Sequence, residues 1–328
     1  MVAVCDMLLG MKILVIGGTA FMGPWVVREL VAAGHEVTVF HRGKTLSELP
    51  KSVKSVRGDR HALQQHIDAL REVRADVVLD MICFARTDAA DLVGVFAGYV
   101  PRVVVASSCD VYAAFGGLIG VEDRTPGTGA LTEDAALRTK RYPFRAQAKG
   151  SSDMMYSYDK LDVEEALAGV TGLAASFVRL PMVYGEGDRQ RRLAPYLKQM
   201  KETGGIVLGA SHAGWVSTRG FVENMGVAVA AIVTDGRAAG RVYNVADGTA
   251  LTEEAFARAV AVAAGVGAEV VKVVGDDEVP VAARFPGDAR HHLVIDSGRI
   301  RAELGYADRV SLAEGLARTV AWERGQGA

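Results

Sequence analysis

Two tyrosines and a lysine fall within YSYDK, residues 156–160. On a continuous helix, residues four apart share a face and residues two apart do not. That rule puts Tyr156 beside Lys160 and turns Tyr158 away. A phenol held against an ammonium loses its proton more readily. Such a group suits proton exchange with a carbinol while a hydride leaves the same carbon. An ordinary helix-surface pair has the same spacing, so the assignment depends on what else reaches that phenol. PRVVVASSCDVY (101–112) brings Ser107, Ser108 and Tyr112 to the end of a buried strand. Open parallel sheets bind their ligands at that edge. A serine there can orient a substrate oxygen, or simply cap the strand.

A second constellation lies near the start. GGTAFMG (17–23) falls between an apolar run and an amphipathic stretch. A strand-to-helix glycine turn gives tight geometry, close backbone approach to a pyrophosphate and N–H donors at a helix start. Gly17, Thr19, Ala20, Phe21, Met22 and Gly23 are the candidate contacts, although Ala20 stands where the middle glycine of G-x-x-G-x-x-G would be. Such turns also serve packing alone. The next strand ends in FHRGK, with Arg42 and Lys44 where an NAD site usually presents a carboxylate to the ribose. Cations at that place suit a 2′-phosphate, so the charge argument favours NADP over NAD. Asp59 and Arg60 end a third strand on the same edge and are placed to flank the adenine.

The elements that must position these groups alternate. MKILVIGG, EVTVFHR, VKSVRGD, ADVVLDM and PRVVVASS read as strands, with helices between them over residues 23–33 and 61–74 and before residue 101. Helix is expected over 151–168 and 190–203, and strand over 174–181 and 241–248. This order implies a doubly wound parallel sheet of the Rossmann type. Residues 11–180 read as the dinucleotide-binding domain, with 215–250 returning to it, and 181–328 as mainly a smaller α+β substrate-binding domain. Residues 113–152 are poorly periodic and rich in Gly, Arg, Lys and Pro, which reads as a functional or mobile loop.

The chain has 328 residues, half of them hydrophobic, and a net charge of -2. Nothing basic enough to favour a nucleic-acid partner appears. Three cysteines and seven histidines show no metal-ligand spacing, and the adjacent His291 and His292 would diverge on a strand. A reducing, cytoplasmic setting is expected. MVAVCDMLLG (1–10) reads as a loosely packed leader, and no apolar run is long enough to span a bilayer.

The glycine turn, the strand-end serine and Tyr-x-x-x-Lys, in that order, resemble the extended short-chain dehydrogenase/reductase superfamily. The likeness is to its NAD(P)-dependent epimerase/dehydratase family, and within it to an atypical subgroup with a GGTxFxG turn. RLPMVYGEGD (179–188), TRGFVEN (218–224), VYNVADG (242–248) and RIRAELGY (299–306) resemble its later segments. The resemblance implies that Ser108, Tyr156 and Lys160 are catalytic. Tyr156 would be the general acid/base, Lys160 would hold the nicotinamide ribose, and Pro181 and Val183 would line the carboxamide. Cys109, Asp110, Met182 and Arg219 would face substrate, Arg219 as the family's phosphate-contacting arginine. Such proteins often form homodimers through the helix bearing Tyr156.

Three departures qualify that picture. Met182 stands where many sugar-nucleotide enzymes of the family carry asparagine. Cys109-Asp110 replaces the Asp-Glu pair of sugar 4,6-dehydratases, which disfavours loss of water. Ser108 and Tyr156 are separated by 47 residues, an excess expected to form a basic flap over an anionic substrate. The expected activity is NAD(P)-dependent oxidation, reduction or epimerisation of a sugar, nucleotide sugar or sugar-like carbinol. Alternatives are a reductase of a non-sugar metabolite, or a non-catalytic dinucleotide-binding sensor or RNA-associated protein.

Overall fold

The computed structural model describes residues 10–45, 48–127, 129–281 and 284–327. The expected leader lies, apart from Gly10, outside the described residues. Strand and helix alternate first through β1 (Lys12–Ile16), α1 (Gly23–Ala32), β2 (Glu36–His41), β3 (Lys54–Arg57), α2 (Ile67–Glu72), β4 (Val77–Asp80), α3 (Arg86–Phe96) and β5 (Arg102–Ser108). After α4 (Ala113–Leu118) and a long irregular stretch come α5 (Met154–Ser157), α6 (Lys160–Leu167), β6 (Ala174–Leu180) and β7 (Met182–Tyr184). The chain continues through α7 (Ala194–Thr203), β8 (Ile206–Gly209), α8 (Ala210–Ala213), β9 (Val216–Phe221), α9 (Val222–Thr234) and β10 (Val242–Asn244). It ends with β11 (Ala250–Thr252), α10 (Glu253–Ala263), β12 (Val271–Val274), α11 (Gly298–Leu304) and α12 (Leu312–Gly325).

Seven strands form one parallel sheet in the order β10-β6-β5-β4-β1-β2-β3. The order reverses between β1 and β4, which is where a doubly wound sheet opens a crevice at its carboxyl edge. The apolar runs read from sequence are these central strands: Ile13, Leu14, Val15 and Ile16 are all fully buried, as are Val103, Val104 and Val105. Burial on both faces is why they show no alternation. β7, β9 and β11 form a separate mixed sheet, and β8 pairs with β12. α9 returns to pack on α1, so close that a Cβ on Gly226 would lie 2.8 Å from Trp25.

Several elements depart from the sequence reading. Helix over 61–74 begins as a 3-10 segment, Arg60–His66, before α2. The strand expected over 241–248 is only Val242–Asn244 long. The helix expected over 151–168 is two helices, α5 and α6, with Tyr158 and Asp159 extended between them. Asp153 accepts from the Met155 amide at 3.0 Å and Asp159 from the Leu161 amide at 3.0 Å. Each aspartate is therefore an N-cap, and two caps six residues apart start two helices.

The stretch expected to be a basic flap is tied down. Buried Arg138 donates to Asp159 at 3.0 Å and to the Asp110 carbonyl. Arg141 donates to Glu165, and Arg145 to the Tyr156 carbonyl at 2.8 Å. These cations are used within the chain.

Candidate active site

Two cavities open at the carboxyl edge of the large sheet. The first, of about 410 Å³, is lined by Gly17, Thr19, Ala20, Arg42, Lys44, Asp59 and Arg60 among others. Seven of the sequence-predicted dinucleotide residues thus surround one space. Gly17 has φ +88°, and a Cβ there would sit 2.9 Å from Ile82. A Cβ on Gly23 would meet Gly18 backbone at 2.6 Å. Only glycine lets this turn and the start of α1 close up. No side chain caps that helix start; the Gly23 amide donates to the Ala20 carbonyl at 2.9 Å and the Trp25 amide to that of Met22 at 3.1 Å. Met22 is buried in the core, and Phe21 takes φ +49° on the turn itself.

The outer end of this cavity is cationic. Arg42 and Lys44 have no carboxylate among the described residues within 4 Å, and Arg189 reaches Thr45 at 3.3 Å from the far side. Arg60 does not belong with them. Its Nε donates to Asp80 at 2.8 Å and its Nη2 to the Asp88 carbonyl at 2.7 Å, in a site only 3% exposed. The guanidinium is held by these partners, while Arg60 still contributes to the cavity wall beside Asp59. Asp59 accepts from the His61 amide.

Beside Phe84, which lines this cavity, buried Lys160 donates to the carbonyls of Cys83 at 2.7 Å and Ala106 at 2.6 Å. Its ammonium lies 4.5 Å from the Phe84 ring centre and 5.9 Å from that of Tyr158. Burial lowers its pKa. Tyr158 donates to Asp110 Oδ2 at 2.6 Å and stacks on Phe84. The Ser108 hydroxyl accepts from the Asp110 amide at 3.2 Å, and Ser108 opposes the rise of the Tyr158 phenol's pKa. Tyr156 stands outside this group. It is 39% exposed, with the Arg145 guanidinium 4.6 Å from its ring centre. The expected pairing of Tyr156 with Lys160 on one helix face is not formed, because no helix joins them. The tyrosine that sequence spacing turned away is the one beside Ser108 and Lys160. The signal that could have found it was Asp159, a helix-starting residue directly before Lys160.

Burial and the Asp110 carboxylate push the Tyr158 phenol well above its ordinary pKa. Burial also raises Asp110, against the opposing effects of Tyr158, Arg138 and Lys160. The pair therefore rests protonated, and the raised pKa makes the phenol a weak acid until a ligand replaces the Asp110 contact. Ser107, also considered at the strand end, is committed to Glu164 at 2.5 Å. Tyr112 donates to Asn244 at 2.6 Å, deep in the core.

The second cavity, of about 390 Å³, has Cys109, Met182 and Arg219 in its wall, so three of the four predicted substrate residues meet there. Asp110 faces Tyr158 instead. Cys109 is buried and its thiol is pushed up to about 12. Pro181 and Val183 border neither cavity: Val183 is in the core, and its carbonyl accepts from Arg192 at 2.7 Å. Among the described residues no group of three His, Cys, Asp or Glu could hold a metal ion, and no helix is long and apolar enough to cross a membrane.

Residues 13–92 match the family model for the NAD dependent epimerase/dehydratase family. The chain is 34% identical over 180 residues to the 2'-dehydrokanamycin reductase of Streptomyces kanamyceticus, covering 54% of this chain and 44% of that protein. It therefore spans about half the length of that relative. It is 28% identical over 351 residues to a dTDP-glucose 4,6-dehydratase of Streptomyces niveus, covering 96% of this chain and 93% of that protein. In fold it is similar to the Bordetella bronchiseptica enzyme WbmH in complex with NAD+, with a TM-score of 0.69 at 16% identity over 97% of this chain and all of that one.

Proposed function

This chain belongs to the NAD-dependent epimerase/dehydratase family, and from that premise we propose that it is an oxidoreductase or epimerase acting on a sugar-like carbinol or the matching ketone. The observation that carries the reading is the junction of the two cavities at the end of β5. There Ser108 and the Tyr158–Asp110 pair adjoin both spaces: Tyr158 stacks on Phe84, which lines the first cavity, and Cys109, between Ser108 and Asp110, lines the second. The glycine closeness at residues 17 and 23 and the cations at Arg42 and Lys44 fit NADP(H), in preference to NAD(H). When bound, the nicotinamide supplies or accepts a hydride.

The chain's own residues handle the proton. The Tyr158 phenolic proton, held at rest in the 2.6 Å hydrogen bond to Asp110, passes to the carbonyl oxygen as that oxygen gains charge, so the Asp110 contact is given up in the step and a phenolate is left. Ser108 orients the same oxygen. In oxidation the proton returns along the same path. Lys160 places a cation behind the phenol and favours its ionised form. Elimination of water is disfavoured, because a buried thiol with a pKa near 12 at Cys109 is a poor acid for a leaving hydroxyl.

The test is oxidation of NADPH and NADH, followed at 340 nm, against a panel of ketosugars and cyclic ketones. Turnover with NADPH favoured is expected. Tight dinucleotide binding with no turnover of any carbonyl or carbinol would leave a sensor role in its place.

A further inference from the structure

We propose that the second cavity takes an uncharged, hydroxylated ring compound and excludes nucleoside-diphosphate sugars. The inference rests on the preceding reading in treating this cavity as the substrate site. Its ground is the state of the cavity's cations. Arg219 donates to Glu253 at 2.5 Å, and Glu253, 2% exposed, also accepts from Tyr196. Arg192 donates to Asp188 at 2.9 Å and to the Val183 carbonyl. His212 stacks on Phe285 with ring centres 4.4 Å apart, and burial holds its pKa below the ordinary value. Each formal cation in the wall is thus matched by a carboxylate within the same wall or directly behind it.

A diphosphate brings two negative charges that must be desolvated. It is bound where cations not already paired with a carboxylate await it. Here both guanidiniums are paired with carboxylates, and taking Arg219 from Glu253 would leave a buried carboxylate uncompensated. The cofactor cavity provides an internal contrast, since Arg42 and Lys44 there have no carboxylate within 4 Å among the described residues. The same chain presents unpaired cations where phosphate is expected and paired ones here.

What the cavity does present is aromatic surface with a few fixed polar atoms. Phe115, Trp215, Phe256 and Phe285 form much of the wall. Gln190, His212 and the Glu253–Arg219 pair are the main polar members of that wall. Apolar walls with sparse polar points suit a sugar or cyclitol ring, its C–H faces on the aromatics and its hydroxyls on those polar side chains. Met182 contributes a thioether with no donor for a phosphate.

The experiment is calorimetric titration of the NADPH-loaded full chain with UDP-glucose and with dTDP-glucose. No saturable binding is expected up to about 1 mM. In Glu253→Gln the Arg219 charge is no longer neutralised, and binding of either nucleotide sugar should appear or strengthen by at least about tenfold. Wild-type binding below about 1 mM that is lost in Arg219→Gln overturns the proposal, whether or not Glu253→Gln folds. The two readings fail separately. A protein that binds UDP-glucose and still oxidises NADPH with a carbonyl loses only this inference. One that binds neither nucleotide sugar and turns over nothing loses only the oxidoreductase reading.

Discussion

Tyr158→Phe deletes a single hydroxyl, the one hydrogen-bonded to Asp110. If that hydroxyl moves the substrate proton, kcat should fall by about 10²–10⁴ while the Kd for NADPH stays within about twofold. Tyr156→Phe should leave both unchanged, since that ring is exposed and its phenol meets neither Ser108 nor Lys160. The opposite pattern would return the role to Tyr156. Sequence spacing misassigned the phenol's position for a definite reason. The four-residue rule holds only on an unbroken helix, and Asp159 interrupts this one. The residues that line the first cavity were more legible, because glycine closeness and strand-end charge are local properties. The pairing of Arg60 was the exception, since its partner Asp80 lies 20 residues away. Arg42→Asp should weaken NADPH relative to NADH by at least about tenfold, by placing a carboxylate where a 2′-phosphate would sit. Unchanged preference in a ratio of kcat/KM values would remove the phosphate argument.

At the scale of elements, α6 carries Lys160 and depends on its first residue. Asp159 is fully buried and accepts from the Leu161 amide, from Arg138 at 3.0 Å and from the Tyr142 amide at 2.7 Å. It joins the helix start to the long stretch before it. Asp159→Ala loses the cap and leaves Arg138 buried without its closest carboxylate, and should cost about 3–5 kcal/mol in urea unfolding. Asp153→Ala removes an exposed cap on a four-residue helix and should cost only about 1 kcal/mol. Equal costs would mean that Asp159 acts as a cap and nothing more. Composition alone made residues 113–152 look like a mobile flap. What anchors them is a set of pairings with distant residues, such as Glu133 with the Asn244 amide at 2.9 Å. Neither periodicity nor propensity registers a contact of that kind.

At the scale of the whole molecule, the large sheet was legible because buried parallel strands announce themselves as apolar runs. The small sheet was not, because β7 and β11 are three residues long and carry no period. The assembled fold also sets a pH response. Asp247 is pushed up to about 6 by burial, against hydrogen bonds from Asn224 and the Phe221 amide. Asp80 and Asp110 are raised in the same direction by burial. In the unfolded chain aspartate titrates near ~4. Between about pH 4 and 6 the folded protein therefore binds more protons than the unfolded one, so this contribution is complete below about pH 4 and is lost as pH rises through 6. For Asp247 it amounts to at most about 3 kcal/mol. Depressed carboxylates oppose it: Asp288, held at about 2 by Arg290, loses its contribution only as pH falls below the usual carboxylate range. That pair is at the surface, where such interactions are weak. Thermal unfolding should thus show a Tm at pH 5.5 that exceeds the Tm at pH 8 by about 2–6 °C, with a decline below about pH 4. Asp247→Asn should shrink the difference. A wild-type Tm that climbs steadily from pH 5.5 to 8 would mean that these buried aspartates are ionised without penalty.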